Sequence, residues 1–565
     1  MAARRTLFSA SQLRLRPASL SRGRQFASGS SQPTPPPSSS SASTTKRYEK
    51  QRRNEWIVIA VSGAIAAGGA YYWTNRPKDV DDNVFAPPSS PEPSSSSRNF
   101  SITVRHPSTG ERMTKVFTML SDSESTKRLR QNERVVDVQD AGAVSRYYVN
   151  SVAANAPIED RSSQAILPHA NSASAAAFFA VMDGHAGWDT SELLSKRLIP
   201  EVALHIDAAH RLAEDRARNP GLAAKIKAAL GAGSGSEEEI RSGLVKEAIS
   251  TAFLGLDKRI CETPIEMLKR GGAASEGYQA MLPALSGSCA LLTYVDSARD
   301  TVYVACTGDS RALAGYQDAK TGQWSVEPLS EDQTGRNIRE QERMRREHPI
   351  EEADHVVMRG RVLGGLEPTR AFGDARYKWD REMQAKLREA FLPAGSGGRG
   401  PPQLLKTPPY VTARPMIQSR RIAADGKQLR FIVMATDGLW DMLSNEEVGS
   451  LVAGHLSEVK GRVGKEELEG KVFGKAAAPA ISDQQAVLSS SHHPLARAQG
   501  QQVFAFQDEN LATHLVRNAL GGGGAQRVNA YLAIPAGDAR RYRDDITVNV
   551  VLLGEKQASP REAKL

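Results

Sequence analysis

Four apolar runs in this 565-residue chain are joined to acidic residues at one end, and those carboxylates are the side chains with the most capacity for chemistry. Ala177 to Met182 runs into Asp183-Gly184-His185-Ala186-Gly187, and Phe431 to Thr436 runs into Asp437-Gly438-Leu439-Trp440-Asp441. Thr301 to Thr307 ends at Gly308-Asp309-Ser310-Arg311, while Asp544-Asp545 immediately precede the run Ile546 to Leu553. A single Asp after a strand is ordinarily a turn former or a helix cap. Four such sites ask for more, because carboxylates gathered at one sheet edge repel one another unless cations sit among them. Hard divalent ions with oxygen ligands meet that need. Glycine after Asp183 and after Asp437 lets backbone approach an ion or offer its own carbonyl. No cluster of His and Cys accompanies the acids, so Mg²⁺ or Mn²⁺ fits better than Zn²⁺.

The elements that must position these groups are legible in outline. From about residue 100 onward, apolar runs of strand length bounded by turn residues alternate with longer helical stretches, which predicts a mixed α/β or α+β domain. Hydrophobic residues make up 40% of the chain and charged residues 24%, near the globular average, so most of it should fold. Cys261, Cys289 and Cys306 are too few and too irregularly spaced for a disulfide framework and read as core thiols. The net charge of +9 does not point to nucleic acid. Residues 1 to 54 hold eleven Lys or Arg against one acid, Glu49, so the remainder is close to neutral.

At the carboxylates the sequence resembles a family. Glu159-Asp160, FAVMDGHAG (179 to 187), SGSCALL (286 to 292), ACTGDSRALAG (305 to 315), LGGLEPTRAFGD (363 to 374), ATDGLWDMLSNEEV (435 to 448) and RDDITV (543 to 548) follow in the order found in the type 2C metal-dependent protein phosphatases. NAPIEDR (155 to 161) and the long insertions are most similar to the branch of mitochondrial pyruvate dehydrogenase phosphatases and their fungal relatives. The resemblance extends from roughly 150 to 553 and implies a sandwich of two mixed, mainly antiparallel β-sheets flanked by helices, within a catalytic domain expected over 100–555. It also implies hydrolysis of phosphoserine and phosphothreonine on proteins. Glu159, Asp183, Asp437 and Asp544, with the Gly184 carbonyl, are then expected to hold two Mn²⁺ or Mg²⁺ ions whose water attacks phosphorus. His185 is the expected general acid toward the leaving oxygen, and Asp160 the partner of a water in the site. Asp309 and Asp441 match a third, weaker metal position of some members.

One departure stands out. Many members carry an arginine four residues before the metal-binding glutamate, where it grips substrate phosphate; here the residue is Asn155, whose neutral amide cannot make that bidentate charged contact. Arg370 is a candidate to supply it. The charged run Asn337 to Arg346 is expected to be a solvated helix face, and the insertions near 383–407 and 455–502, the second with His492-His493, are expected to be loops. A phosphoprotein is the implied partner, with the E1 subunit of pyruvate dehydrogenase suggested by the branch. Two other classes compete. A catalytically inactive, membrane-tethered phosphatase fold would be expected to lack some of the carboxylates, and all are present. A two-metal nuclease is at odds with the near-neutral body.

The first hundred residues read as an address. Met1 to Tyr48 contains no Asp or Glu and is rich in Arg and Ser, a mitochondrial transit composition, with Arg24-Gln25-Phe26-Ala27-Ser28 as a candidate cleavage site and 1–28 as the transit peptide. A low-complexity basic linker follows over 29–54. Trp56 to Trp73 then gives eighteen residues without a charge, spanning roughly 27 Å as a helix, so 55–74 predicts a single pass through inner-membrane lipid. Its basic flank, Lys46 to Arg53, should stay on the matrix side, leaving the body after residue 75 across the membrane from it. A linker over 75–99 completes the segment. At the far end 556–565 reads as a flexible tail whose last residues, Ala563-Lys564-Leu565, are similar to a peroxisomal signal.

Overall fold

Period-two alternation in the Ala175–His185 strand sets the architecture. Ala177, Phe179 and Val181 turn to one face and Phe178, Ala180 and Met182 to the other, and both sets are buried. A strand apolar on both faces must be covered on both. The structure, a computed structural model, describes residues 99–105, 111–138, 142–168, 175–218, 236–393, 400–474 and 503–554. The predicted transit peptide, the 29–54 linker, the 55–74 span, the 75–99 linker except Asn99, His492-His493 and the C-terminal tripeptide lie outside the described residues. Among the described residues no helix is long and apolar enough to cross a membrane.

Two sheets stack face to face. One runs in the order Met416–Arg421, Thr301–Thr307, Gly287–Asp296, Ala175–His185, Arg161–Pro168. The other runs Trp324–Pro328, Arg311–Asp318, Lys427–Ala435, Ile546–Leu553, Val144–Val152, Arg134–Asp137. The resemblance implied mixed sheets; every ladder along these two paths is antiparallel. The core between them joins Ala177, Phe179, Val181, Leu291 and Val304 of the first sheet to Ala312, Ile432, Met434 and Val551 of the second.

Helices cover the outer faces. Phe178, Ala180, Met182, Leu292 and Tyr294 meet Leu194, Leu198 and Val202 of the Asp189–Arg218 helix and Phe253 and Leu256 of the Glu237–Lys269 helix. Phe431, Val433, Val548 and Val550 meet Val448, Leu451 and Val452 of the Asn445–Leu456 helix and Leu515 and Val516 of the Leu511–Ala519 helix. The Ser444-Asn445-Glu446-Glu447 sequence begins the former helix with a capping box: Ser444 Oγ accepts from Glu447 N, and the Glu447 carboxylate accepts from Ser444 N.

Three expectations, two for loops and one for a helix face, need correction. The stretch expected as a loop over 383–407 begins in the amphipathic helix Arg381–Phe391, which buries Leu387 and Phe391, while 400–407 is irregular as expected. The second insertion begins with structure too. Gly461–Gly464 pairs with Val503–Phe506, and Lys465–Phe473 is a helix that buries Leu468, Val472 and Phe473. Gly and Ala surround these apolar residues in the sequence and mask their helical and strand spacing.

The third concerns the charged run, which forms the helix Ile338–Glu347, capped by Asn337, but is not merely solvated. Met344 is fully buried, and Glu340, 2% exposed, accepts from Arg370 Nη2 at 2.6 Å, Arg343 Nη2 at 2.8 Å and Thr369 Oγ1 at 2.6 Å. Burial alone would raise the Glu340 carboxyl, but the hydrogen bonds from Arg370 and Arg343 prevail and bring it down to about 2. This buried pair fastens the helix to the segment that follows it. Glu340→Ala, by leaving Arg370 buried without its anion, is expected to cost about 3–5 kcal/mol in urea unfolding. A loss below about 1 kcal/mol would contradict the anchoring role.

Candidate active site

The strands that carry the acids belong to different sheets but finish at the same end of the sandwich. In the first sheet Asp183 pairs with Cys289 and His185 with Gly287. In the second, Lys427–Ala435 runs beside Ile546–Leu553 and stops at Thr436, and Asp437 opens the four-residue helix Asp437–Trp440. Asp437 N donates to Asp183 Oδ2 at 3.4 Å across the gap. Asp183, Asp309 and Asp437 each place a carboxylate oxygen within 4.8 Å of the others. Asp441 lies one helical turn beyond Asp437, with its N–H on the Asp437 carbonyl at 2.7 Å.

A loop brings in the remaining acids. Asp545 gathers it: Oδ1 accepts from Ala154 N (2.6 Å) and Asn155 N (2.9 Å), and Oδ2 accepts from Glu159 N (2.8 Å) and Asn155 Nδ2 (3.1 Å). Glu159 Oε1 in turn accepts from Gly187 N at 2.7 Å. Gly184 is required by this approach, because a Cβ there would lie 2.2 Å from the Glu159 carbonyl oxygen. Asp160 is buried between the sheets, where Oδ2 accepts from Thr436 Oγ1 at 2.8 Å; Thr436 Oγ1 itself accepts from Thr547 N at 3.0 Å.

The electrostatics are those of a site short of positive charge. Burial, then the neighbouring acids, push Asp183, Asp437 and Asp160 well above the usual carboxylate range. Burial raises Asp309 to about 6 and Asp441 to about 7. Asp544 is raised to about 6, chiefly by burial, with Arg540 pulling the other way. Glu159 is raised by burial against its hydrogen bond from Gly187. Asp437 Oδ1 is buried and has no hydrogen-bond partner among the described residues. An all-oxygen donor set, like charges at close range and an orphaned buried carboxylate oxygen together fit divalent cations of the Mg²⁺ or Mn²⁺ type.

Beside the acids stands a dyad. His185 Nε2 lies 2.7 Å from Asp374 Oδ2. Burial disfavours the imidazolium, but the charge and hydrogen bond of Asp374 outweigh it and raise the His185 pKa above its ordinary value. Gly287 keeps the contact open, since a Cβ there would fall 2.1 Å from His185 Nε2 and 2.4 Å from Asp374 Oδ2. Asp374 sits in the left-handed region at φ 48°. Its loop is tied down from behind: Asp257 Oδ1 accepts from Gly373 N at 2.9 Å, and Lys378 Nζ donates to both Asp257 oxygens at 2.8 Å.

Of the residues expected from sequence, Asp183, Asp309 and Asp437 form one cluster, and Asp160, Glu159, Asp441 and Asp544 are coupled to it electrostatically. The two substrate candidates fare differently. Asn155 spends its amide on Asp545, and Arg370, 7% exposed, donates to Glu340 and to the Arg414 carbonyl. Neither guanidinium nor amide is free for phosphate. Sequence reasoning missed Asp545, Asp374 and Arg540. Asp545 was masked by its neighbour Asp544, and Asp374 stood in the quoted LGGLEPTRAFGD segment without a role.

Residues 154–484 match the family model described as Protein phosphatase 2C. The chain is similar to a protein phosphatase 2C homolog of Schizosaccharomyces pombe, 37% identical over 432 residues, covering 76% of this chain and 85% of that protein. It is 36% identical over 455 residues to the mitochondrial [pyruvate dehydrogenase [acetyl-transferring]]-phosphatase 1 of Saccharomyces cerevisiae, covering 77% of this chain and 73% of that one. The corresponding Rattus norvegicus enzyme is 32% identical over 461 residues, covering 74% and 78%.

Because the folded carboxylates hold protons that the unfolded chain, with acids near pH 4, would release, the metal-free protein should lose stability as pH rises from about 4 to about 7. Bound cations remove that loss. The rise in Tm produced by saturating Mn²⁺ is therefore expected to be larger at pH 7.5 than at pH 5 in calorimetry. Equal increments at the two pH values would contradict this.

Proposed function

Since the chain belongs to the protein phosphatase 2C family, we propose that it removes phosphate from phosphoserine and phosphothreonine of mitochondrial proteins by two-metal hydrolysis, with phosphorylated pyruvate dehydrogenase as its substrate. It is a protein serine/threonine phosphatase, and its family is metal dependent. The convergence of Asp183, Asp309 and Asp437 at one end of the sandwich carries the reading.

Asp183, Asp437, Asp544 and Glu159, with the Gly184 carbonyl, are the groups that would hold two Mn²⁺ or Mg²⁺ ions, and Asp309 and Asp441 a third. When bound, such ions make water a competent nucleophile near neutral pH and offset charge on the phosphoryl oxygens. Asp160, fixed by Thr436, is placed to orient a water by accepting its hydrogen bond. His185, kept protonated toward neutrality by Asp374, donates to the departing serine or threonine oxygen. An inactive binding protein would have no use for this complete set.

The named substrate and compartment rest on relatives whose names describe mitochondrial pyruvate dehydrogenase phosphatases, together with the acid-poor, Arg-rich start of the chain. The 56–73 segment would anchor the protein in the inner membrane. Action on a matrix dehydrogenase then requires the folded body to reach the matrix side, so the anchor and the substrate constrain each other.

The protein is expected to hydrolyse p-nitrophenyl phosphate and phosphorylated pyruvate dehydrogenase with Mn²⁺, and to stop on chelation. Removing one carboxylate in Asp437→Asn should lower kcat by about 100-fold or more, as loss of several kcal/mol of charge stabilisation requires. Undiminished hydrolysis in excess chelator would reject the mechanism, and activity on unrelated phosphoproteins but not on the dehydrogenase would reject the substrate.

A further inference from the structure

A phosphate monoester enters this site as a dianion among acids, and hydrogen bonds from a guanidinium are the strongest side-chain means of holding it. The described arginines near the cluster are mostly committed. Arg161 donates to Glu192 and to the carbonyls of Ile158 and Asp160. Arg311 is buried on Asp332 and Asn445, and Arg370 on Glu340.

Arg540 differs. Its side chain is 48% exposed, it reaches Asp544 Oδ2 through Nη1 at 2.6 Å, and Asp544, Asp437, Asp183 and Asp545 all act on its charge. Its backbone is fastened independently of that ion pair. The Ala539–Arg541 turn follows Asp538, whose carboxylate accepts from Lys115 Nζ at 2.8 Å. Ala539 is buried with Ile102, Ala154 and Ile534, and Gly537 N donates to the Ala154 carbonyl at 2.6 Å. The turn is thereby fastened to the same loop that presents Glu159.

We propose that Arg540 is the residue that grips the substrate phosphate, in the role that Asn155 and Arg370 cannot fill. The inference rests on the metal-phosphatase reading. Asp544 is shared between two claims, the Arg540 guanidinium and a divalent ion. Ions held by Asp544 would compete for that carboxylate and leave the guanidinium, anchored at its base and half-exposed at its tip, available to a phosphate dianion. Two parallel N–H donors then meet two phosphoryl oxygens.

The test uses the full chain, saturated with Mn²⁺, as wild type, Arg540→Ala and Arg540→Lys. Inorganic phosphate is titrated by calorimetry, KM and kcat are measured on a phosphoserine peptide, and Mn²⁺ affinity and Tm are measured separately. For Arg540→Ala, the phosphate Kd and the peptide KM are expected to rise about 10- to 100-fold, with the lysine variant recovering part of the loss. Mn²⁺ affinity should be unchanged or tighter, because a competing cation has gone. Phosphate Kd and KM within twofold of wild type would overturn the proposal. So would a fall in Mn²⁺ affinity and Tm that accounts for the whole effect, since Arg540 would then serve only to position Asp544. If the wild type binds Mn²⁺ and phosphate but hydrolyses nothing, the phosphatase reading fails, and the phosphate titration alone decides Arg540.

Discussion

Carboxylates held close together and away from water are the constraint around which this molecule is organised. Each of Asp183, Asp437 and Asp160 resists ionisation where it sits, and the cause is of one kind for all: burial first, then neighbouring acids. Such an arrangement costs stability, and a fold keeps it only if the surrounding structure leaves the acids no way to separate. Here the surroundings are two sheets whose strands end at the same edge, with a common core of Phe179, Val181, Leu291, Ile432 and Met434 between them. Sliding either sheet to relieve the repulsion would unpack that core.

The chemistry is held by a further layer of polar contacts that do not take part in it. Asp545 fixes the loop bearing Glu159 through four hydrogen bonds, Thr436 fixes Asp160, and Asp257 with Lys378 fixes the turn bearing Asp374. Two glycines make room where groups must nearly touch, Gly184 beneath the Glu159 carbonyl and Gly287 beside the His185 and Asp374 pair. A side chain at either position would push apart groups that act together.

Much of this was legible in the residues because strands announce themselves locally. The runs 301–307 and 546–553 are the observed strands, and Asp183, Asp309 and Asp437, beside three of the four runs, gather within reach of one another. Less was legible where the partner is distant in sequence. Nothing local distinguishes Asp545 from Asp544, yet one is turned to the 154–159 loop and the other to Arg540. Arg370 stands in a motif beside the site, but its buried partner Glu340 is thirty residues away in a helix that reads as solvated. Composition misled at 455–474, where small and polar residues hid Val463, Leu468 and Phe473 that complete the outer core.

Anomalous diffraction from crystals grown with Mn²⁺ tests the account at its centre. Two strong peaks are expected among Glu159, Asp183, Asp437 and Asp544, with the buried Asp437 Oδ1, which has no partner among the described residues, as a ligand. Peaks confined to other surfaces, or Asp437 Oδ1 left without an ion, would contradict it.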